Sequence, residues 1–506
     1  MSLTKVTNSM ISGSLANIVD FGADASGVAS SVAAITLAQA SNSYLYVPPG
    51  GTFLIDSNLT ITSGVTCYGV ISVASGVTLT INGPFDAPEA TVFSGLGNVQ
   101  FGNSSAITIC SLWFSGSDIG VKINKALNSL LLGGVVVLPR GQYAYASDIF
   151  IPRTGYVYIL EGQGINVTAL TFTGAGYGIN SDEAAQTVKV QLRDFELFGT
   201  SAAIAGIVIG SSRFTLVERV WVHGFSSGIG IWCKASSPGG HHTITLNDTQ
   251  SWQNAQGLVV ENIYAFYMTG GTLESNIGRE LSMVNCGSVA FTNVMIENSS
   301  SPVDVTVPSM RIESSNAISF NGCYFEFNLV TTAVLLVNSQ VVFSNCSLGG
   351  RSNTVYISNS GTPIGPTVIA NCVFAGANPS APIVTTSTSA VADYVLEQNC
   401  TYADCTNTND DPFRIKAKGK FSGVGSITSL VASGVLSVVR NSTGVYTVTT
   451  TQSVPNAVYS VMAERLDSVN VVYSNALSAG STSFVIRTFD IAGAAIDART
   501  INFIVV

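Results

Sequence analysis

The sequence predicts an all-β fold built as a solenoid, and three observations carry that prediction: a repeated strand pattern, an aligned set of turn residues, and a composition rich in turn formers. Nine segments share one pattern: LRDFELF, VERVWVH, LNDTQSW, MTGGTLE, FTNVMIE, FNGCYFE, FSNCSLG, IANCVFA and EQNCTYA. Their third residues are Asp194, Arg219, Asp248, Gly270, Asn293, Gly322, Asn345, Asn371 and Asn399, spaced by 22 to 29 residues. A period in that range marks coils that stack on one another rather than a conventional sheet. Of the 506 residues, 49 are Gly and only 10% are charged, as expected of short strands joined by many turns.

Side chains alternate across a strand, so each coil has an inward and an outward set. The residues one and three past the turn are mostly apolar and point inward. The three-past column reads Leu197, Val222, Ser251, Leu273, Ile296, Phe325, Leu348, Phe374 and Tyr402, and the one-past column ends in Cys323, Cys346, Cys372 and Cys400. Thiols spaced along a line read as small buried hydrophobes, because a metal needs ligands converging on a point. No metal and no cofactor is expected. Nine Cys without a CxxC pair read as free thiols of a chain that folds in a reducing compartment. The Asn column is turn chemistry, since Asn tolerates left-handed backbone.

A formal charge of -9 without Lys/Arg clusters argues against nucleic acid or an anionic membrane as partner. The start, MSLTKVTNSMISGS, lacks an apolar signal core, and no apolar run reaches membrane-spanning length. Membrane insertion is not expected, and any export uses no ordinary signal peptide.

Near the start stands NIVDFGADASGVASSVAAITLAQASNSYLYVPPGGTF. It reads as a strand, a polar Gly-rich turn, a short Ala-rich helix, and a second strand ending at Pro48-Pro49-Gly50. A weaker copy follows in FSGSDIGVKINKALNSLLLGGVVVLPRGQY, where Phe114, Gly120 and Val121 repeat the offsets of Phe21, Gly27 and Val28, and Pro139-Arg140-Gly141 closes the strand. The apolar positions of KINKALNSLLL fall at helical spacing, which predicts a short helix covering the open end of a solenoid.

Asp20-Phe21-Gly22-Ala23-Asp24, Gly27-Val28, Ala33-Ala34-Ile35 and Tyr46-Val47-Pro48-Pro49-Gly50 resemble the N-terminal signature of pectate-lyase-like β-helix proteins, especially bacteriophage tailspikes and their capsule-depolymerising relatives. Ser30-Ser31 stand where that family often has an Asp. The leader LTKVTNSMI resembles the segment that precedes the signature in many tailspikes. The resemblance implies a right-handed parallel β-helix in a homotrimer, joined to the phage tail or another tail protein through its N-terminus. Such a protein is made in the host cytoplasm, resides in the virion tail, and acts outside the cell on bacterial capsular or other surface polysaccharide.

The expected layout is a virion-attachment leader at 1–16, a pectate-lyase-like module at 17–110, a central parallel β-helix at 111–410, a linker at 411–424, and a C-terminal antiparallel β-sandwich at 425–506. The linker is marked by the charge, Pro and Gly of NTNDDPFRIKAKGKFSGVG. Strand patterns in VVRNSTGVYTVTTTQSVPNAVYSVMAE, NVVYSNALSAG, SFVIRTFDIAG and INFIVV predict the sandwich. Arg440-Asn441-Ser442-Thr443-Gly444, Tyr446, Pro455-Asn456, Tyr459, Thr488 and Asp490 resemble the C-terminal domain of several phage tail proteins. That likeness implies trimerisation or host-surface binding.

The four-past column faces solvent and reads Phe198, His223, Trp252, Glu274, Glu297, Glu326, Gly349, Ala375 and Ala403. Coils about 4.8 Å apart place neighbouring carboxyls about 5 Å apart and the outer pair about 10 Å apart. Those distances bracket the retaining and inverting geometries of glycosidases. Three acids so close raise at least one carboxyl, which is what a general acid needs at neutral pH. Trp252, Trp221 and Tyr324 offer amphipathic rings for sugar faces. The plain alternative is a solvated acidic ridge, although stacked like charges cost stability.

A lyase reading draws on His223 as base, with Arg219, Arg279 or Arg311 neutralising a uronate carboxylate. His241 and His242 in SPGGHHT read as a loop pair rather than ligands. Glu261 and Glu313, with Asn285 between them, read as a polar corner, and Asp182-Glu183 as a loop pair. The expected function is therefore glycoside hydrolysis of a surface polysaccharide, with Glu274, Glu297 and Glu326 catalytic. Trp252, Trp221, Tyr324, His223, Arg279 and Arg311 are the expected substrate-binding residues. The alternatives are a uronate lyase and a non-catalytic receptor-binding tail fibre.

Overall fold

The protein is represented by a computed structural model. It describes residues 15–41, 44–102, 108–152, 154–181, 188–210, 212–236, 243–298, 306–327, 330–349, 355–360, 367–375, 381–385, 395–398 and 400–403, and beyond them 417–421, 430–433, 435–443, 445–454, 472–475, 481–488 and 501–505. Residues 1–14 of the leader, Asp182, Glu183, His241, His242, Asn399, Gly444, Pro455, Asn456, Tyr459, Asp490 and most of the proposed linker lie outside the described residues.

One coil shows the plan. The strand Arg279–Val284 is followed by a corner at Asn285, the strand Gly287–Thr292, a second corner at Asn293, and the strand Met295–Asn298. Strands of the first kind pair coil to coil in a ten-stranded parallel sheet. Strands of the other two kinds form parallel ladders joined as one 21-stranded sheet. The result is a right-handed parallel β-solenoid.

Both corners need backbone that most residues resist. Asp194, Arg219, Asp248, Gly270, Asn293, Gly322, Asn345 and Asn371 all have φ between 47° and 64°. This left-handed region costs L-residues roughly 1–2 kcal/mol, least for Gly, Asn and Asp, so the chain places those types there. Arg219 is the exception. Its guanidinium donates two hydrogen bonds to the Asp194 carboxylate, at 2.7 and 2.9 Å, and so ties its own corner to that of the preceding coil. The other corner repeats the device at Asn262, Asn285, Ser314 and Asn338, with φ between 49° and 60°. There the Asn285 side-chain amide donates to Asn262 Oδ1 at 3.2 Å.

The inward columns fill the bore. Phe266, Phe291, Phe320 and Phe343 stack along one ladder at successive ring separations of 5.7, 4.7 and 5.2 Å. Leu197, Val222, Leu273, Ile296, Phe325, Leu348 and Phe374 form the buried column opposite. Cys323, Cys346 and Cys372 are buried and stacked, the Cys346 amide donating to Cys372 Sγ at 3.4 Å, and the described cysteines are free thiols.

The N-terminal coils, from Ala16 to Phe101, form three small parallel sheets of four, four and three strands. Helix α1, Val32–Ser41, sits on the first of them, beside Ala16–Asn17 and Tyr44–Val47. Asp24 shapes the preceding loop by accepting from the amides of Ser26, Val28 and Ala29 at 3.0, 3.1 and 2.7 Å. Those bonds, with one from the Ser26 hydroxyl, hold its carboxyl well below the usual range. Helix α2, Ile119–Ser129, starts at Asp118, whose side chain accepts from the Val121 amide at 2.9 Å. It buries Ile123, Ala126 and Leu127 and packs between the strand Asn98–Phe101 and the strands Gly134–Val137, Gly141–Tyr145 and Ile149–Phe150. The KINKALNSLLL helix thus covers the end of the central coils and is itself covered by the N-terminal ones. Gly120 permits this closeness, since a Cβ there would meet Ser147 O at 2.5 Å.

The chain divides into two compact units, 1–394 with 398–408, and 409–506 with 395–397. The second unit contains antiparallel strands. Ala417–Phe421 pairs with Leu430–Ser433 and Ile501–Val505, and Val445–Val454 pairs with Val435–Ser442 and Ser481–Thr488. Tyr446 and Val448 are its buried residues among those described.

Candidate active site

The ladder after the Asn293 corner carries the candidate site. Its register pairs Phe198 with His223, His223 with Trp252, Trp252 with Glu274, Glu274 with Glu297, and Glu297 with Glu326. Each Glu sits one residue after a fully buried anchor, Leu273, Ile296 or Phe325, so packing of the core fixes the outward row. Below Glu326 the row continues as Gly349.

Glu297 is flanked by both neighbours. Partial burial, then the charges of Glu326 and Glu274, push its carboxyl above the ordinary glutamate value. Tyr324, exposed and two residues before Glu326 on the same strand, donates its hydroxyl to Glu326 Oε2. That hydrogen bond is the main reason the Tyr324 hydroxyl is pushed up to about 12.

The other end of the row is aromatic. His223 lies flat on Trp252, with ring centroids 4.2 Å apart and planes 7° apart, and Phe198 meets His223 edge-on at 5.1 Å. Trp221 contacts Trp252 in a T-shaped pair at 5.3 Å. His223 Nε2 is also 2.6 Å from Glu196 Oε1. The imidazole is therefore engaged on its face and at one nitrogen, and one face of Trp252 is covered.

Beneath this row lies a carboxyl that sequence reasoning missed. Glu280 is fully buried at the start of a strand in the ten-stranded sheet, next in line after Gly230 and Gly257 of the two preceding coils. Asn276 donates to it twice: its backbone amide reaches Oε1 at 3.0 Å, and its side-chain amide reaches Oε2. The network runs on through the bore. The Asn254 amide donates to Asn276 Oδ1 at 3.0 Å, and the Phe225 amide donates to Asn254 Oδ1 at 3.0 Å. Asn254 Nδ2 donates to Ser251 Oγ at 3.0 Å, and Ser251 Oγ donates to Gly257 O at 2.8 Å. Burial pushes the Glu280 carboxyl up to about 8, with Glu274 and Glu297 adding to the rise and the Asn276 bonds opposing it. Burial thus favours the protonated form of Glu280. The available signal was the recurrence of Asn two residues past the outward row, at Trp252-x-Asn254 and Glu274-x-Asn276.

The cationic residues are dispersed. Arg219 is held by Asp194 and by Glu218, the latter at 2.9 Å. Arg279 and Arg311 belong to the ten-stranded sheet, across the Asn276 corner from the glutamates. Glu261 accepts from Trp232 Nε1 at 2.9 Å, and Glu313 pairs with Arg311, so both members of the expected polar corner are used locally. The structure therefore does not assemble His223 with an arginine for elimination. Among the described residues, no group of three or more His, Cys, Asp or Glu side chains is placed to hold a metal ion.

No protein-family model matches the chain, and no curated protein matches it. Among solved structures, ORF18 of Geobacillus virus E2 is similar at 13% identity over 96% of this chain and 78% of that one, with a TM-score of 0.42. The enzymatically active domain of bacteriophage CBA120 tailspike protein 2 is similar at 12% identity over 78% and 69%, with a TM-score of 0.40. The A-module of Azotobacter vinelandii mannuronan C-5 epimerase AlgE4 is similar at 16% identity over 74% and 100%, with a TM-score of 0.37. These are loose likenesses in chain path, and the chemistry is left to this chain's own residues.

Proposed function

We propose that the chain is a homotrimeric phage tailspike that binds bacterial surface polysaccharide and cleaves it by glycoside hydrolysis on the Glu274–Glu297–Glu326 row. The observation that carries this reading is Glu297, paired in register between two other carboxylates and raised by burial and by both of them. A proton held by a raised carboxyl is the reagent a glycosidic oxygen needs to leave.

In this reading Glu297 is the general acid and Glu326, oriented by the Tyr324 hydroxyl, is the nucleophile. Neighbouring coils lie about 4.8 Å apart, close to the roughly 5–5.5 Å carboxyl spacing of retaining enzymes. Glu274 sustains the proton on Glu297. Trp221 and Trp252 form a platform for a sugar ring. Lyase chemistry has less support, because His223 is tied to Glu196 and Trp252 while the arginines lie elsewhere.

Incubation of the purified protein with capsule from its host, followed by size-exclusion chromatography and mass spectrometry, tests the reading. Shortened chains with an intact reducing end, formed with net retention by NMR, are expected. Products carrying an unsaturated uronate would establish elimination instead. Full activity in each of the single variants Glu274→Gln, Glu297→Gln and Glu326→Gln would sink the assignment, and sedimentation analysis checks the trimer.

A further inference from the structure

Glu196 is an outward side chain that the hydrolytic reading leaves unused. It stands between the buried Phe195 and Leu197, and the register places Ala169 one coil before it and Trp221 one coil after. Its carboxylate accepts from His223 Nε2 at 2.6 Å. Both side chains are largely shielded from water, at 18% and 13% exposure, although they lie on the outer face. A shielded hydrogen bond to a carboxylate is short and strong, so it fixes the imidazole in one orientation.

The fixed imidazole orients the rings around it. Phe198, two residues along from Glu196 on the same strand, meets His223 edge-on, and its own ring lies over Gly224, where a Cβ would meet it at 2.6 Å. On the other side His223 lies flat against Trp252, and Trp252 meets Trp221 at 79°. Glu196, His223 and Trp252 come from three consecutive coils, and the register position after Trp252 is Glu274, the first of the acids. The bore does not require these contacts, because their members face outward while Leu197 and Val222 beside them fill the core.

We propose that Glu196 is a positioning residue for glycan binding: through His223 it holds the Trp252 indole at a fixed angle to Trp221, so that the platform is formed before a sugar arrives. The inference rests on the reading of Trp221 and Trp252 as the platform, and not on hydrolysis. An indole already held in place loses no rotamer freedom when a sugar ring lies on it, whereas a free one weakens binding roughly three- to tenfold.

The test uses the full-length chain carrying Glu297→Gln, so that no turnover intervenes, with capsule purified from the host as the probe. Trp221 and Trp252, 5.3 Å apart, are expected to give an exciton couplet in the circular dichroism of their indole bands, which Trp221→Phe removes. Glu196→Ala is expected to collapse the couplet and to weaken capsule binding by up to about tenfold. His223→Ala is expected to do the same, and Glu196→Gln, which keeps an acceptor for His223, to retain most of both signals. A couplet unchanged in Glu196→Ala and in His223→Ala overturns the proposal. So does capsule binding that Trp252→Ala weakens and Glu196→Ala does not. Capsule binding unaltered by Trp252→Ala removes the platform, and the proposal with it.

Discussion

Asn276 donates both its backbone amide and its side-chain amide to the carboxyl of Glu280. This clasp lies two residues past Glu274 and inside the bore, so the outward acid and the buried one share a corner. Burial is the largest cause of the rise at Glu280 and also at Glu297 on the next coil, and the charge of Glu274 adds to both.

The clasp makes stability depend on pH. An unfolded glutamate titrates near 4.3, whereas Glu280 in the fold titrates at about 8. Between those values the folded chain binds a proton that the unfolded chain has released. Stability therefore falls as pH rises through this window, by up to about 1.4 kcal/mol per pH unit. Urea unfolding of wild type and Glu280→Gln at pH 5, 7 and 9 checks this. The variant is expected to lose most of the slope, and an unchanged slope would refute the assignment.

Glu297 and Glu274 separate by their pH profiles. Glu297→Gln is expected to lower kcat by about 10²–10⁴, the usual contribution of a general acid, with glycan binding retained. Activity should fall as pH rises through the raised value of Glu297. Glu274→Gln removes one of the charges that raise it, so the alkaline limb should move to lower pH. A limb that stays in place would exclude Glu274 as the tuning neighbour.

Tyr324→Phe deletes the hydroxyl that orients Glu326. The expected result is roughly a tenfold fall in kcat with little change in KM, in line with the loss of about one charge-assisted hydrogen bond. Equal losses in binding and turnover would instead assign Tyr324 to substrate contact.

Asn293 stands at φ 54° in the corner that precedes Glu297. Asn293→Val is expected to destabilise the chain by about 1–2 kcal/mol, and Asn293→Gly by much less, because only the former meets the steric penalty of the left-handed region. Chemical denaturation of the two variants measures the difference directly.

The fold was legible because its corners demand a rare backbone. Asn293, Gly322, Asn345 and Asn371 supply it and thereby set the register of every flanking column. Alternation from those corners placed Leu273, Ile296 and Phe325 inward and Glu274, Glu297 and Glu326 outward. Glu280 escaped the same reasoning, since a charged residue at the start of a strand reads as solvated until Asn276 is known to lie against it. Arg219 was misleading for a related reason: its partner Asp194 is one coil away in space but 25 residues away in sequence. Periodicity reveals the face a residue occupies, whereas pairing across corners depends on tertiary approach.

Coil length varies from 22 to 29 residues, yet the outward row keeps strict step across all of them. The solenoid consequently behaves as a ruler with fixed graduations. Inserting one whole coil between those of Trp252 and Glu274 would move the aromatic platform relative to the acids by a single graduation and leave the apolar inward columns in phase. Recognition of a longer or shorter repeat unit can thus change in discrete increments, without remaking the core.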